Sequence, residues 1–219
     1  MTKPMNKIEK LIAELCPKGV EWKKLGEVAE YVRGVTYSKK NESHNEEGYK
    51  ILRANNITLS SNKINLEDVK VISKDVRVKE NQKLKKDDIF ICTASGSKEH
   101  VGKVAFIFDD IDYYFGGFMA VIRTSNVLMS RFLFHLLIGE NFSKYLETAL
   151  NTTTINNLNS TILNNFPVPI PPLAIQQEIV KILDTFTELE AELEAELEAR
   201  KKQYEYYRDQ LLTFGDGVE

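Results

Sequence analysis

The stretch PVPIPPLAIQQEIVKILDTFTELEAELEAELEARKKQYEYYRDQLLTF, residues 167–214, decides the architecture of the C-terminal part of the chain. Its opening prolines disfavour a helix in the residues that precede them, but a proline is accepted in the first helical turn. From Leu173 to Thr213 the sequence contains neither glycine nor proline. It therefore predicts one uninterrupted helix, about 61 Å long at 1.5 Å per residue.

Large side chains recur along this predicted helix at steps of three and four residues. This spacing is typical of a coiled-coil seam, with one extra step of four that forms a stutter. The seam consists of Ile179, Ile182, Phe186, Leu189, Leu193, Leu197, Arg200, Tyr204, Tyr207 and Leu211. Because the apolar stripe is nearly continuous, it favours a packed pair of helices, and a single solvated, charged helix is the alternative.

Three copies of a four-residue unit, ELEAELEAELEA, occupy residues 188–199. One unit advances a helix by about 6 Å and about 1.1 turns, so adding or removing a copy changes its length with little rotation. The repeat is therefore interpreted as a length adjuster. Ordinary helix-favouring composition is the alternative, since Glu, Leu and Ala all have high helix propensity.

The part of the chain before this helix is rich in short β runs. Between about residues 50 and 125 the runs YKILRA, VKVIS, DIFICTA, KVAFIF and MAVIRT are bounded by polar or glycine-containing stretches, which predicts strands. Helical periodicity is found at 5–15 and 130–150, and 152–165 is interpreted as a loop with one short element. The predicted fold class is α+β: a mixed, β-rich globular domain at 1–170, one long C-terminal coiled-coil helix at 171–214, and a frayed tail at 215–219.

The charge is distributed unevenly over the 219 residues. Residues 1–170 carry 24 Lys and Arg against 20 Asp and Glu, a net charge of +4, whereas residues 171–219 carry 5 against 12, a net charge of −7. The overall charge of −3 therefore hides a mildly basic larger part. Such a part is compatible with an anionic polymer as its partner.

Composition and motifs exclude several classes of protein. A content of 42% hydrophobic residues allows a core, no apolar run reaches the ~18 residues of a membrane span, and the N-terminus has no signal-peptide core, so a cytoplasmic protein is expected. The sequence contains no phosphate-binding glycine loop, dinucleotide motif, Cys-Xaa-Xaa-Cys or His-Glu-Xaa-Xaa-His. We therefore predict no catalytic or metal site, and an enzyme with a carboxylate pair formed by the fold remains an alternative.

Four polar loops in the predicted β-rich domain have the chemistry of nucleic-acid contacts. Arginine and lysine pair with guanine and asparagine pairs with adenine in the major groove, whereas hydroxyl groups position phosphates. The candidate DNA-binding residues are Arg33, Thr36, Tyr37, Ser38, Lys39, Lys40, Arg53, Asn55, Asn56, Ser95, Ser97, Lys98, His100, Thr153 and Asn156. Solvated surface loops, or a domain that binds protein or carbohydrate, are the alternatives.

Residues 167–214 resemble the conserved region of specificity subunits of type I restriction–modification systems, through the opening PPLAIQQEIV and the close QYEYYRDQLLTF. Upstream, ILRANNI, DIFICTASGS, HVGKVA and YFGG resemble the target recognition domains of that family. The resemblance covers nearly the whole chain, and its C-terminal motif is specific.

The resemblance implies a DNA-recognition subunit without catalysis of its own. A target recognition domain would read a half-site in the major groove of double-stranded DNA, and the helix would be a platform for methyltransferase subunits, which restriction subunits then join. Those partner subunits would use S-adenosylmethionine, ATP and Mg²⁺. This chain would bind no cofactor of its own and no membrane. A specificity subunit of another restriction–methylation type, or a coiled-coil interaction protein, is the alternative.

The usual subunit of this family has two recognition domains and two conserved helices, and this sequence has one of each. A half-subunit is therefore expected, which a second chain completes, most simply an identical copy in an antiparallel homodimer. Its seam would bury Ile179, Ile182, Phe186, Leu189, Leu193, Leu197, Tyr204, Tyr207 and Leu211. A helix of about 60 Å corresponds to about 18 base pairs at 3.4 Å each, and a two-fold dimer predicts a bipartite palindromic site.

Overall fold

The computed structural model describes residues 5–43, 47–96, 98–151 and 157–214. The chain divides into two compact units, Met1–Gln177 and Glu178–Glu219, which we call the first unit and the second unit. The elements in chain order are α1 (Lys7–Leu15), β1 (Glu21–Lys24), α2 (Leu25–Val28), β2 (Ala29–Arg33), β3 (Tyr49–Leu52), β4 (Lys70–Ile72), β5 (Ile89–Cys92), β6 (Val104–Phe106), β7 (Tyr114–Phe115), β8 (Met119–Thr124), α3 (Ser130–Ile138), α4 (Glu140–Asn151), α5 (Ser160–Asn164), β9 (Pro167–Ile170) and α6 (Leu173–Leu212).

An antiparallel sheet in the order β2-β8-β5-β6 forms the centre of the first unit. All four residues of β5, with the sequence IFIC, are buried, as expected of a continuous apolar run in a central strand. The rings of Phe90 on β5 and Phe115 on β7 pack edge to face with centroids 6.1 Å apart. A mixed sheet in the order β4-β3-β7 contributes Ile51 and Ile72, both fully buried, to a neighbouring cluster.

The first two prolines of the quoted stretch, Pro167 and Pro169, lie in a strand that the sequence pattern does not predict. Pro167–Ile170 pairs antiparallel with Glu21–Lys24 in a two-stranded sheet. Proline is tolerated in such edge positions because the missing N–H need not join a ladder. The pairing brings together a strand near the start of the first unit and a strand near its end.

Helical periodicity over 130–150 is interrupted in the structure. Helix α3 ends before Gly139, whose backbone is extended, and α4 begins at Glu140. Phe132, Leu133 and Leu137 bury the apolar face of α3. Glycine carries an entropic cost in a helix interior, which favours a break at this position.

The long C-terminal helix is confirmed, and α6 runs over Leu173–Leu212 as one 40-residue element. The predicted fold class, a β-rich mixed domain followed by one long helix, is confirmed with it. In the first turn of α6 the amide of Gln176 is fully buried and makes three hydrogen bonds, to Met129, Val127 and Pro171. These bonds fix the start of α6 within the first unit.

Candidate nucleic-acid interface

A cleft of about 800 Å³ opens on the surface of the first unit. Four separate segments line it, at 33–42, 53–68, 94–100 and 116–119. Nine of the fifteen candidate DNA-binding residues lie on its walls: Arg33, Thr36, Tyr37, Ser38, Lys39, Arg53, Asn55, Ser95 and His100. We call this the polar cleft, after the amide, hydroxyl, guanidinium and imidazole groups among its lining residues.

Strand pairing brings the loops of the polar cleft together. Strand β2 ends at Arg33 beside the start of β8, and Val35 forms a bridge with Gly116. The two chains approach so closely there that a Cβ on Gly34 would collide with the carbonyl oxygens of Phe115 and Gly116. Only glycine fits at position 34, so this residue sets the distance between two walls of the cleft.

Arg53 and Asn55 hold one acidic side chain between them. Arg53 Nη2 donates to Asp68 Oδ2 at 2.8 Å, and Asn55 Nδ2 donates to the same oxygen at 2.7 Å. The carboxylate fixes both donors at the cleft wall. Arg53 Nε is buried and has no hydrogen-bond partner.

Asn56 is predicted from the sequence to contact DNA, but the structure buries its side chain. Its Nδ2 donates to the carbonyl oxygens of Asn65 and Asp68 at 2.8 and 3.0 Å, and its Oδ1 accepts from the Arg53 N–H at 2.8 Å. Because these bonds use its amide, Asn56 shapes the loop that carries Arg53. It does not line the polar cleft.

His100 forms another wall of the cleft, at the end of the single-turn helix Lys98–His100. Its Nδ1 is buried and has no hydrogen-bond partner. In the described part of the chain, Arg53 Nε and His100 Nδ1 are the two buried side-chain polar atoms without a partner. Both atoms belong to residues that line the polar cleft, so within the described ranges the buried unsatisfied polar groups are concentrated there.

The charges of the cleft nearly balance. Three cations, Arg33, Lys39 and Arg53, face two carboxylates, Glu42 and Asp68, which leaves one net positive charge among the described lining residues. Lys70 donates to Glu42 at 2.9 Å, and this hydrogen bond lowers the pKa of that carboxyl and favours its ionised form. A site with this balance selects its ligand by hydrogen bonding and shape as well as by charge.

Ten of the nineteen lining residues were not among the candidates from the sequence, and Asp68 and Phe118 are two of them. Asp68 lies in a segment between strands with no distinguishing motif, and Phe118 follows the two glycines of YFGG. The side chain of Phe118 is 70% exposed at the cleft. A large aromatic residue directly after a glycine pair in a loop was the only sequence signal available for it.

The remaining candidates do not line the cleft as described. Lys40 is exposed but outside its lining, and only the backbone of Lys98 is described. Ser97, Thr153 and Asn156 lie outside the described residues. Over the part of the chain that the structure covers, no three metal-ligating side chains come together and no helix is apolar and long enough to cross a membrane.

The seam of α6 is solvent-exposed over most of its length. From Ile182 to Leu211 its apolar members are 38–72% exposed, and Ile179 is half-buried. The exposed members are Ile182, Phe186, Leu189, Leu193, Leu197, Tyr204, Tyr207 and Leu211. A nearly continuous apolar stripe of this length on an exposed helix is typical of a surface that another helix covers.

Comparison with known proteins gives one consistent result. The family model described as the type I restriction modification DNA specificity domain matches residues 17–199. The chain is 32% identical over 171 residues to the type I restriction enzyme EcoKI specificity subunit of Escherichia coli K12, and 31% identical over 171 residues to the StySPI specificity subunit of Salmonella potsdam. Each alignment covers 77% of this chain and 36% of the relative, so the chain spans about a third of their length.

Two solved structures share the fold. A chain from the work titled "Structural basis underlying complex assembly and conformational transition of the type I R-M system" superposes with a TM-score of 0.62 at 22% identity, over 90% of this chain and 48% of that one. The HsdS subunit from Thermoanaerobacter tengcongensis superposes with a TM-score of 0.58 at 19% identity, over 86% of this chain and 44% of that one. At these identities the similarity establishes the fold alone.

Proposed function

Because the chain belongs to the family of type I restriction–modification DNA specificity domains, we propose that its first unit reads one half of a bipartite DNA site and that its second unit pairs with a second copy of the chain. The polar cleft is the reading surface in this proposal. The chain itself performs no chemistry, and it directs the methyltransferase and restriction subunits that modify and cut the DNA.

One observation carries the proposal: segments distant in sequence bring nine candidate DNA-binding residues to one cleft that also holds two unpartnered buried polar atoms. Leaving a buried polar group unpaired costs about 1–3 kcal/mol. A ligand whose entry moves Arg53 and His100 slightly, and which offers polar groups to Nε and Nδ1, would recover that free energy. The edges of base pairs offer such groups in a fixed pattern.

The chemistry of the lining fits a duplex better than a neutral ligand. The guanidinium groups of Arg33 and Arg53 suit the O6 and N7 acceptors of guanine, and the amide of Asn55 suits adenine. The hydroxyls of Thr36 and Ser38 suit phosphate oxygens. In this division of roles the hydroxyls set the register on the DNA and the planar groups read the sequence.

The first test measures DNA affinity of the full chain against salt and against substitution. Binding through several phosphate contacts falls steeply between about 50 and 200 mM salt, whereas a protein or sugar binder would be nearly indifferent. We expect Arg53→Ala to weaken binding to the selected site by about 5- to 150-fold, since one side-chain–base pair contributes about 1–3 kcal/mol. Arg77→Ala is the matched control, because Arg77 is exposed in the first unit but does not line the cleft.

An equal loss in the two arginine variants would mean that general charge, not the polar cleft, binds the DNA. Affinity that does not change with salt would favour a binding module for protein or carbohydrate. Either result contradicts the proposal.

The second test concerns the seam. We expect Leu189→Asp combined with Leu193→Asp to convert a dimer to a monomer in light scattering, because each change places a charge in the apolar interface. Ala195→Asp combined with Ala199→Asp is the control: the same charges are added to the same helix at positions away from the seam. A leucine variant with the mass of the unaltered chain would contradict pairing through the seam.

The proposal extends to the assembled complex. Two identical recognition units related by a two-fold axis would read a bipartite palindrome, and S-adenosylmethionine, ATP and Mg²⁺ would be bound by the partner subunits. The complex would act on DNA in the cytoplasm. Mapping methylated positions in the host genome tests this directly: a bipartite, palindromic motif is expected, and a continuous motif would contradict it.

A further inference from the structure

Phe118 stands at the polar cleft with its ring in solvent. At 70% exposure it is more exposed than any other aromatic side chain described in the first unit, where Trp22 and Phe108 follow at 61% each. Isolated exposed apolar side chains are common on protein surfaces. The position of Phe118, among groups suited to read base edges, distinguishes it from such residues.

The backbone beneath this ring is held rigidly. The carbonyl oxygen of Phe118 accepts hydrogen bonds from the Thr93 N–H at 2.9 Å, from the Ala94 N–H at 3.1 Å and from Thr93 Oγ1 at 2.8 Å. The Met119 N–H closes the turn on the carbonyl of Gly116 at 2.8 Å. Because the backbone that carries this ring is already fixed, the ring can contact a ligand without the entropic cost of ordering a loop.

The cleft wall next to Phe118 is fixed in the same way. Arg33 Nε donates to the carbonyl oxygen of Gly117 at 3.1 Å, so the guanidinium is tied to the residue that precedes the ring. An apolar ring and a planar cation are thereby presented side by side by one turn. This arrangement pairs an apolar contact with a hydrogen-bonding one.

Phe108 shows what an exposed ring with a structural role looks like in the same unit. The guanidinium of Arg131 lies 5.1 Å from the centroid of its ring, and the ring of Phe106 lies 5.0 Å away, edge to face. Among the described residues no such ring or cation contact involves Phe118. Its ring is therefore not used in stabilising the free chain by these contacts.

We propose that Phe118 reads a thymine, by packing its ring against the C5-methyl group of that base in the major groove. The inference rests on the proposed function, since it requires the polar cleft to face base edges. Thymine carries the one apolar group among the four bases at the major-groove edge, and phenylalanine is one of the residues that contact it. Arg33 and Phe118 would then read neighbouring base pairs, one by hydrogen bonds and the other by apolar contact.

The experiment removes a single methyl group from the DNA. A site is selected from a random duplex pool with the full chain, and each thymine of one half-site is replaced in turn by deoxyuridine, which differs only in lacking the C5-methyl. At one position we expect the affinity of the unaltered chain to fall about fourfold, the equivalent of ~0.8 kcal/mol for one methyl-sized apolar group. Phe118→Ala should bind the thymine and deoxyuridine duplexes equally.

Two further variants make the result specific. Phe108→Ala should keep the fourfold discrimination, because it removes an exposed ring that does not line the cleft. Phe118→Leu should keep part of it, because leucine retains apolar surface at the same place. Unchanged circular dichroism and melting temperature of each variant would establish that it is folded.

Several outcomes would overturn the inference. They are a half-site without a thymine, a site at which no deoxyuridine lowers affinity, and a Phe118→Ala variant that still discriminates. If Phe118→Ala weakens every duplex equally, the ring acts by stacking or by insertion between base steps, and the thymine contact is wrong. A chain that selects no sequence and binds DNA without salt dependence would instead refute the proposed function.

Discussion

The substitution Gln176→Leu tests whether a single buried amide joins the start of α6 to the rest of the first unit. Gln176 Oε1 accepts from the Met129 N–H at 2.8 Å, and its Nε2 donates to the carbonyl oxygens of Val127 and Pro171 at 2.9 and 2.8 Å. The side chain is fully buried, so water cannot replace these bonds. Leucine has a similar volume and can make none of them.

The expected loss follows from the number of bonds. Three hydrogen bonds at about 1 kcal/mol each give about 3 kcal/mol of unfolding free energy. The amide partners that remain unpaired increase the loss, whereas the greater apolarity of leucine offsets part of it. A change of this size is a large fraction of the stability of a typical domain, which is about 5–15 kcal/mol.

The assay is urea unfolding followed by the fluorescence of Trp22, the single tryptophan, which lies on β1 in the first unit. Gln177→Leu is the matched control, since Gln177 is the neighbouring glutamine of the same helix and is exposed. We expect the control to change stability by no more than about 0.5 kcal/mol. A loss below about 1 kcal/mol for Gln176→Leu, or an equal loss in both variants, would refute the role assigned to the amide.

Two further predictions concern buried groups of the first unit. Asp88→Ala should lower the unfolding free energy by about 3–5 kcal/mol, because the buried carboxylate accepts from Arg123 Nε and Nη2 at 2.7 and 2.8 Å. Its loss leaves the guanidinium bonded to two backbone carbonyls but without a counter-charge. Asp112→Ala, which removes an exposed ion-paired carboxylate, should cost less than about 1 kcal/mol in the same chemical denaturation. Cys92 should resist iodoacetamide at pH 8 until the chain is denatured, because burial raises the pKa of its thiol to about 12, whereas the half-buried Cys16 should react sooner. Equal labelling rates by mass spectrometry would show that the Cys92 strand opens readily.

The long helix was predictable from the sequence because its determinants are local. No helix breaker occurs between Leu173 and Thr213, and the apolar spacing continues through the repeat. The structure ends α6 at Leu212, one residue short of the prediction. The buried run of β5 was predictable for the same reason, since its apolar content alone specifies a strand in the core.

The polar cleft was not predictable as a site, because its shape depends on long-range pairing. Arg33 and Gly117 are 84 positions apart in sequence, yet they share a hydrogen bond across the cleft wall. Sequence chemistry identified three loops that the structure brings together at the cleft, but it could not say which of their side chains face outward. Asn55 and Asn56 show the limit: adjacent amides look equivalent in sequence, yet a turn exposes the first and buries the second.

Asp68 and Phe118 were missed for different physical reasons. A carboxylate in a cleft that we propose binds DNA contradicts simple charge complementarity. Its role emerges only when Arg53 and Asn55 are seen to share its oxygen. An exposed phenylalanine carries no periodic signal, and its rigidity comes from Thr93 and Ala94 on another segment. Both residues acquire their meaning from neighbours that are remote in sequence.

The two units carry surfaces of opposite chemistry, and the difference makes their partners separable by experiment. In the described part of the first unit, the two unpartnered buried polar atoms belong to residues that line a cleft of net positive charge. Added salt weakens the binding of an anionic polymer to such a cleft. The second unit has an exposed apolar seam, and the association of apolar surfaces is not weakened by screening and is strengthened by salts such as sulfate. Raising salt should therefore release DNA while leaving paired helices together. Loss of both associations at the same salt concentration would mean that one electrostatic contact holds them, contrary to the division of roles between the two units.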